Sequence, residues 1–350
     1  MRCYGCLKEI SSKSQYCPTC KKNIFDNIDI KPLSFDKEEF YTFRAQNTDR
    51  MSISGVQDKI SLKFSDNNIL EPAKANGRYI LKPVPRSHDV ASKLGDMPAN
   101  EHISMQISKQ IFKLNTAENC LVEFKDGELA YLTKRFDYQK IEGIVKKAEQ
   151  EDFASILGYT EELQDKNYKY ESSYEDIAEG IKKYVSASVP AIEEFYKRII
   201  LNYLISNGDA HLKNFSLLRY PNRDDYILSP NYDLLFTSYH LKDEPAITAL
   251  ELFSEYETTA YGAMGYYTLE DFEVFGKMLN IPNKRLVKIF KDIMNIEPEV
   301  YELVSHSYLS DEAKEAYIRS YEQRLKKSLL YYIDSYKFKK ESILVNGLSL

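Results

Sequence analysis

The residues best suited to chemistry lie in Asn207-Gly-Asp-Ala-His-Leu-Lys-Asn214, with Asp233 downstream in Asn231-Tyr-Asp-Leu-Leu235. Asp209 and Asn214 form a D-x-x-x-x-N pattern. That separation serves phosphoryl transfer, with the Asp orienting an attacking hydroxyl and the Asn ligating Mg²⁺. A carboxylate of ordinary pKa is ionised at neutral pH and can align a hydroxyl or take its proton. An amide oxygen suits Mg²⁺, which keeps waters and phosphate oxygens as its other ligands. Asp233 supplies the second carboxylate that such a metal needs. The plain alternative is that Asp209 and Asn214 only cap a helix or a turn, as these residue types often do. The pattern alone does not separate the two readings; Asp233 behind a hairpin favours the metal and phosphate site.

The elements that must position these residues can be read around them. Ile192, Phe195, Tyr196, Ile199, Ile200, Tyr203 and Leu204 recur at helical spacing, and Ser206-Asn-Gly208 reads as the helix stop. Phe215 to Arg219 and Tyr226 to Leu228 read as strands joined by the turn-rich Pro221-Asn-Arg-Asp-Asp225, a hairpin that returns the chain beside the loop. Upstream, Ile60, Leu62 and Phe64 alternate as in a strand, preceded by the Ser/Gly turn of Ser52-Ile-Ser-Gly-Val-Gln57. With Gly55 alone that turn departs from a G-x-G-x-x-G phosphate loop, and a plain hairpin turn fits it equally. Arg78-Tyr-Ile-Leu-Lys82 is a strand ending on a lysine, which must face solvent or meet an anion. A helix from Pro98 to Leu114 carries Glu101 near its start, either as partner to Lys82 or as a first-turn acid favouring the helix dipole. Cys120 to Phe124 and Glu128 to Arg135 form a hairpin around Asp126-Gly127, and Lys134-Arg-Phe-Asp137 leaves it. Beyond residue 140 the pattern turns helical and Tyr-rich, with stripes at Leu286, Ile289, Phe290 and Ile293 and from Ala313 to Tyr332.

Four of five cysteines form Cys3-Tyr-Gly-Cys6 and Cys17-Pro-Thr-Cys20, two C-x-x-C knuckles ten residues apart, the spacing of a Cys₄ zinc ribbon. Twenty residues cannot bury a core, so the metal would supply the folding energy. Cys120 reads as a buried strand residue. The 350 residues suit two lobes and an appendage: ribbon 1–25, linker 26–49 with a short helix near Lys37 to Arg44, β-rich lobe 50–138 and helical lobe 139–350. A net charge of −6 speaks against a generic nucleic-acid binder. No run of 18 apolar residues and no signal-peptide core is present, so a cytoplasmic protein without membrane contact is expected.

Taken together, Ser52 to Gln57, Tyr79-Ile-Leu-Lys-Pro83, Asn100-Glu101, Lys134 to Asp137, Glu151-Asp152, Asn207 to Ser216 and Tyr232 to Leu235 resemble the HipA-like serine/threonine kinases, toxins of bacterial toxin–antitoxin modules. The resemblance spans roughly residues 50 to 240. It implies an α+β, bilobal, protein-kinase-like fold binding ATP and Mg²⁺ in the cleft. Asp209 would be catalytic, with Lys213 and His211 near the γ-phosphate; Asn214 and Asp233 would hold the metal, and Lys82, paired with Glu101, the phosphates. Gly55, Val56 and Gln57 would cover the nucleotide, and Lys134 to Asp137, with Lys134 and Phe136 as the nucleotide contacts, would be the hinge where adenine meets backbone. The family autophosphorylates a serine in the loop matching Ser52 or Ser54, and its substrates are aminoacyl-tRNA synthetases. Its antitoxin partner carries a helix-turn-helix DNA-binding domain. Full-length members have a larger subdomain before the kinase core; here the ribbon stands in that place, as in a truncated form whose missing subdomain is a separate small protein. Absence of Trp would suit a tryptophanyl-tRNA synthetase target, though chance explains it equally well. A small-molecule phosphotransferase could share the Asp209, Asn214 and Asp233 geometry, and a non-catalytic zinc-ribbon adaptor is the other alternative.

Overall fold

A computed structural model describes residues 1–11, 14–46, 58–86, 93–163, 165–240 and 248–346, with helix backbone alone for 329–346. The Ser52–Gln57 turn, with Ser52, Ser54, Gly55, Val56 and Gln57, lies outside the described residues. Five antiparallel strands form the first sheet: β1 (Ile60–Phe64), β2 (Leu70–Pro72), β3 (Tyr79–Lys82), β4 (Asn119–Glu123) and β5 (Leu129–Lys134), in the order β2-β1-β3-β5-β4. The alternation at Ile60 and Leu62 and the Asp126-Gly127 turn do what their types demand, with Gly127 at φ 88°.

The N-terminal segment is not an appendage. Helix α1 (Pro18–Phe25) starts on Cys17, and helix α2 (Lys37–Ala45) has an Asp36/Glu39 capping box. Phe25 is fully buried against the rings of Tyr16, Phe64 and Tyr79, while Leu33, Phe35 and Phe40 share one core with Leu62, Leu81 and Phe124. Backbone bonds from Leu121 N to Tyr4 O and from Leu33 N to Glu123 O close the open edge of β4. The stretch expected to be a linker is thus packed, because its aromatic residues cover a sheet face that would otherwise meet water.

Helix α3 (Met97–Gln106) continues into one π turn, Ile107–Ile111, and every residue from Pro98 to Gln106 is buried between the sheet and the helical half. A helix buried all round shows a weak stripe, so its end is blurred in the sequence.

Where helices alone were expected after residue 140, three strands appear: the hairpin β6 (Tyr138–Ile141) and β7 (Ile144–Lys147), then β8 (Glu149–Asp152). β8 pairs with β9 (Ser216–Arg219), which pairs with β10 (Ile227–Leu228). The polar sequence of β6 to β8 hid them, since their side chains are mostly exposed and strand pairing, not burial, holds them. The remainder is helical: α4 (Phe153–Leu157), α5 (Tyr174–Tyr184), α6 (Ser188–Leu204), α7 (Thr259–Met264), α8 (Leu269–Met278), α9 (Asn283–Asn295), α10 (Glu297–Ser305) and α11 (Asp311–Asn346). The stripes read on α6 and α9 are core, as are Ala313, Tyr317, Tyr321 and Leu325 on α11. After α6 the left-handed residue is Ser206 at φ 54°, held by Thr237 and Arg324, so the stop falls two residues before Gly208. Among the described residues no helix is long and apolar enough to cross a membrane.

If the N-terminal segment is part of the first lobe, Phe25→Ala should cost about 3–5 kcal/mol, as for a buried core aromatic. Urea denaturation of the full chain reads this; a change under about 1 kcal/mol would mean the segment folds apart from the sheet.

Candidate active site

Lys82 ends β3 with its side chain almost wholly buried, and Nζ lies 2.7 Å from Glu101 Oε1 on α3 and 2.5 Å from Asp233 Oδ1. It also lies 5.7 Å from the centre of the Tyr131 ring, on the neighbouring strand. Burial alone would lower its pKa, but the Asp233 and Glu101 charges outweigh it and hold the ammonium above its ordinary value. Burial pushes the Glu101 carboxyl up to about 7 against the pull of Lys82. Asp233 is 43% exposed, and Lys82 and Lys59 together hold it well below the usual carboxylate range despite the crowding around it. Of the two carboxylates, Asp233 is the one held firmly ionised.

Asp233 reaches this place because Asn100 clamps the chain behind it. Asn100 Nδ2 donates to Phe236 O at 3.0 Å, and Phe236 N donates to Asn100 Oδ1 at 2.9 Å. Asn231 is tied the same way, donating to Asn115 O and accepting from Ala117 N. Between these anchors Asp233 takes a left-handed φ of 60°, a conformation that Asp tolerates better than most residues and that is common at functional sites.

The loop after α6 brings the other polar groups alongside. Asn214 Nδ2 donates to Asp233 Oδ2 at 3.1 Å, while its Oδ1 accepts from His211 N, so the two expected metal ligands are neighbours. Asp209 is 54% exposed, with its backbone N–H on Asn207 Oδ1. Its Oδ1 accepts the hydroxyl proton of Tyr170 at 2.5 Å, and Lys213 Nζ donates to the Tyr168 hydroxyl at 3.2 Å. His211 lies 3.7 Å from Asp209, too far for a hydrogen bond, and its buried Nδ1 has no hydrogen-bond partner among the described residues.

Two expected nucleotide contacts fall differently. The Lys134 side chain turns away, donating to Asn23 O and pairing with Asp26 at 2.8 Å, because it sits opposite Tyr79 on the strand face that meets the N-terminal segment. The Lys134 side chain is therefore engaged with the N-terminal segment, which leaves only its backbone for the expected hinge. Phe136 packs on Tyr232 at 5.3 Å and gives its carbonyl to the Tyr220 hydroxyl. Three participants were missed. Lys59 precedes β1 on the face opposite Ile60, and burial and the Lys82 charge lower its pKa; alternation could have flagged it. Tyr168 and Tyr170 carry no sequence signal.

The four cysteine thiols Cys3, Cys6, Cys17 and Cys20 lie within 4.8 Å of one another. Cys6 and Cys17 are 3.7 Å apart, against about 3.8 Å for a tetrahedron of thiolates at about 2.3 Å from zinc. The N–H groups of Gly5 and Cys17 point at Cys3 Sγ, and a Cβ on Gly5 would stand 2.6 Å from Cys20 Sγ. The donor set fits a metal ion.

Burial pushes the His211 pKa down to about 4 against about 6.5 in an unfolded chain. Protonation therefore favours unfolding: this stability is whole above pH 6.5 and is lost as pH falls towards 4. At pH 5 the loss should be about 2 kcal/mol. His211→Gln should flatten the fall in denaturant midpoint between pH 7 and 5, and an unaltered slope would count against it.

Comparison with known proteins follows the same residues. Residues 51–300 match the family model described as the HipA-like C-terminal domain. A Haemophilus influenzae protein named "Putative kinase" is 29% identical over 333 residues, covering 91% of this chain and 94% of its own length. The serine/threonine-protein kinase toxin HipA of Shewanella oneidensis is 27% identical over 198 residues, or 53% of this chain and 43% of the toxin. A chain of the solved Shewanella oneidensis complex of HipA, HipB and operator DNA superposes with a TM-score of 0.60 at 21% identity, over 84% of this chain and 70% of that one. That likeness shows a shared fold. This chain thus spans nearly all of the Haemophilus relative and under half of the Shewanella toxin. With the family match covering more than two thirds of its length, the chain belongs to the HipA-like C-terminal domain family.

Proposed function

We propose that the protein is an ATP- and Mg²⁺-dependent serine/threonine protein kinase. The observation that carries this is Lys82 held between Glu101 and Asp233, with Asn214 and the Asp209 loop beside them. With Glu101 only partly ionised near neutral pH and Asp233 firmly ionised, the two carboxylates still carry more charge than the one ammonium, and Lys59 offsets part of it at longer range. An ionised Asp233 next to an amide suits Mg²⁺ once Asn214, whose Nδ2 now donates to Asp233 while Oδ1 accepts from His211 N, presents its oxygen to the metal. Bound there, the metal would neutralise charge on the phosphates.

The chain's own groups then have definite tasks. Lys82 presents a permanent cation to the phosphates while Glu101 fixes its direction. Asp209, open to solvent, orients the acceptor hydroxyl and takes its proton. Lys213 stands four residues on as a cation for the transferring group, and neutral His211 offers a ring nitrogen without adding charge. Likeness to the Shewanella serine/threonine-protein kinase toxin, solved with HipB and operator DNA, extends the reading to a toxin restrained by an antitoxin. The family resemblance of the sequence supplies the rest of the reading: action in the cytoplasm on an aminoacyl-tRNA synthetase, an antitoxin with a helix-turn-helix domain, and autophosphorylation of Ser52 or Ser54. A dianionic phosphate in that turn would repel nucleotide. Cys3, Cys6, Cys17 and Cys20 would hold one structural Zn²⁺.

Incubated with Mg-ATP, the wild type should gain phosphoryl mass that maps to Ser52 or Ser54, and Asp209→Asn should gain none. Lys82→Met should weaken ATP binding about 10- to 100-fold by calorimetry, the value of a hydrogen-bonded charge. Equal mass gain in wild type and Asp209→Asn would sink the kinase reading. Elemental analysis should find one zinc per chain, and Cys6→Ser/Cys20→Ser should lose it and lower Tm by about 10 °C or more; wild-type protein without zinc would remove the metal from the account.

A further inference from the structure

Between α4 and α5 the chain passes over the Asp209 loop in one short 3₁₀ turn, Tyr168–Tyr170. Connections of this length with little regular structure are uncommon and usually serve a site. Here the turn engages all three polar side chains of Asp209-Ala-His-Leu-Lys213. The Tyr170 hydroxyl donates to Asp209 Oδ1 at 2.5 Å, the Tyr170 ring stands edge-on to His211 at 5.2 Å, and the Tyr168 hydroxyl accepts from Lys213 Nζ at 3.2 Å. Lys213 Nζ also lies 5.8 Å from the centre of the Tyr168 ring. Downstream the turn is anchored by the Ser173/Asp176 capping box of α5 and by buried Tyr174, whose hydroxyl donates to Ala210 O at 3.0 Å.

Two features separate this from ordinary packing. Tyr174 is buried and belongs to the core, whereas Tyr168 and Tyr170 are half-covered and pack on its rim, and the Asp209 side chain is more than half exposed, so the turn can leave without unpacking a fully buried side chain. A hydroxyl pointed at Asp209 is also the chemical group that a kinase acceptor presents to its catalytic Asp. We propose that Tyr168–Tyr170 is an intramolecular occupant of the acceptor site, with the Tyr170 hydroxyl in the seat of the substrate hydroxyl. An acceptor polypeptide must displace it before transfer. This rests on the kinase reading, in which Asp209 is the base. It makes the turn a selectivity device: only an acceptor polypeptide that binds strongly enough to move the turn, the chain's own Ser52–Gln57 stretch included, reaches Asp209, and small hydroxyl compounds are disfavoured.

The test uses water as the acceptor, so no protein substrate is required. In Mg-ATP hydrolysis a water oxygen bonds to the γ-phosphorus, the bond to the ADP oxygen breaks, and the water proton passes to Asp209. Initial rates are measured for full-length wild type, Tyr170→Phe, Tyr168→Phe/Tyr170→Phe and Asp209→Asn, with thermal melts to confirm folding. Removing one hydroxyl from a partly exposed ring leaves the fold intact, and the hydrolysis rate should rise about three- to tenfold with KM for ATP unchanged, the loss of one hydrogen bond. The double variant should rise at least as far. Hydrolysis that is sensitive to Asp209→Asn but unchanged or slowed in both tyrosine variants would overturn the proposal and leave the kinase reading standing. Hydrolysis seen only in the tyrosine variants and abolished by adding Asp209→Asn would support both. No Asp209-dependent hydrolysis in any variant would overturn both.

Discussion

An ammonium group cannot be buried alone, and the site is organised by how Lys82 is satisfied. Its partners come from far apart in the chain: Glu101 from α3 and Asp233 from beyond the second sheet. Drawing them together fixes the first sheet against α3 and α3 against the helical half. Removing one partner of such a buried set typically costs 3–5 kcal/mol, because a charge is left without its counter-ion. The carboxylates outnumber the ammonium, and the one held firmly ionised, Asp233, lies on the exposed side. One arrangement thus satisfies the buried ammonium and leaves an ionised carboxylate facing outwards.

Helix α3 is the element through which the rest of the molecule acts on that arrangement. Its Asn100 holds Phe236, and with it the chain carrying Asp233. Its next residues but one reach the other way: His102 bonds Gly5 O at 2.9 Å, and Gln110 in the following π turn donates to Cys6 O at 3.0 Å. The carbonyls of the first cysteine knuckle are thus held by the helix that bears Glu101. Closing the cysteine cluster around a metal would stiffen the knuckle and the helix together, a coupling that a segment tethered outside this lobe would not have.

The Asp209 loop is built on the opposite principle. Its backbone is secured by Asn207, Thr237 and Tyr174, while its side chains remain near the surface under two tyrosines. Fixed main chain and releasable cover suit a group that must be oriented before its substrate arrives.

Much of this was legible in the residues. The D-x-x-x-x-N pattern, the lysine closing an apolar strand, the acid one turn into the next helix and the paired cysteine knuckles are local facts, and local spacing decides them. The apolar stripes of α6, α9 and α11 were equally plain, because helical periodicity is carried by the burial of one face. What could not be read depends on partners distant in sequence. The polar strands β6 to β8 are held by backbone pairing that leaves no hydrophobic pattern. The N-terminal aromatics read as scattered until a sheet face was there to receive them, and Lys134 faced away from the cleft because of which strand lay beside it. Tyr170 meets Asp209 across 39 residues, Lys82 meets Asp233 across 151, and no periodicity encodes either contact. Sequence determined which chemical groups the protein owns and which short elements bear them; only tertiary packing decided which groups meet, because burial and charge balance are properties of the assembled chain.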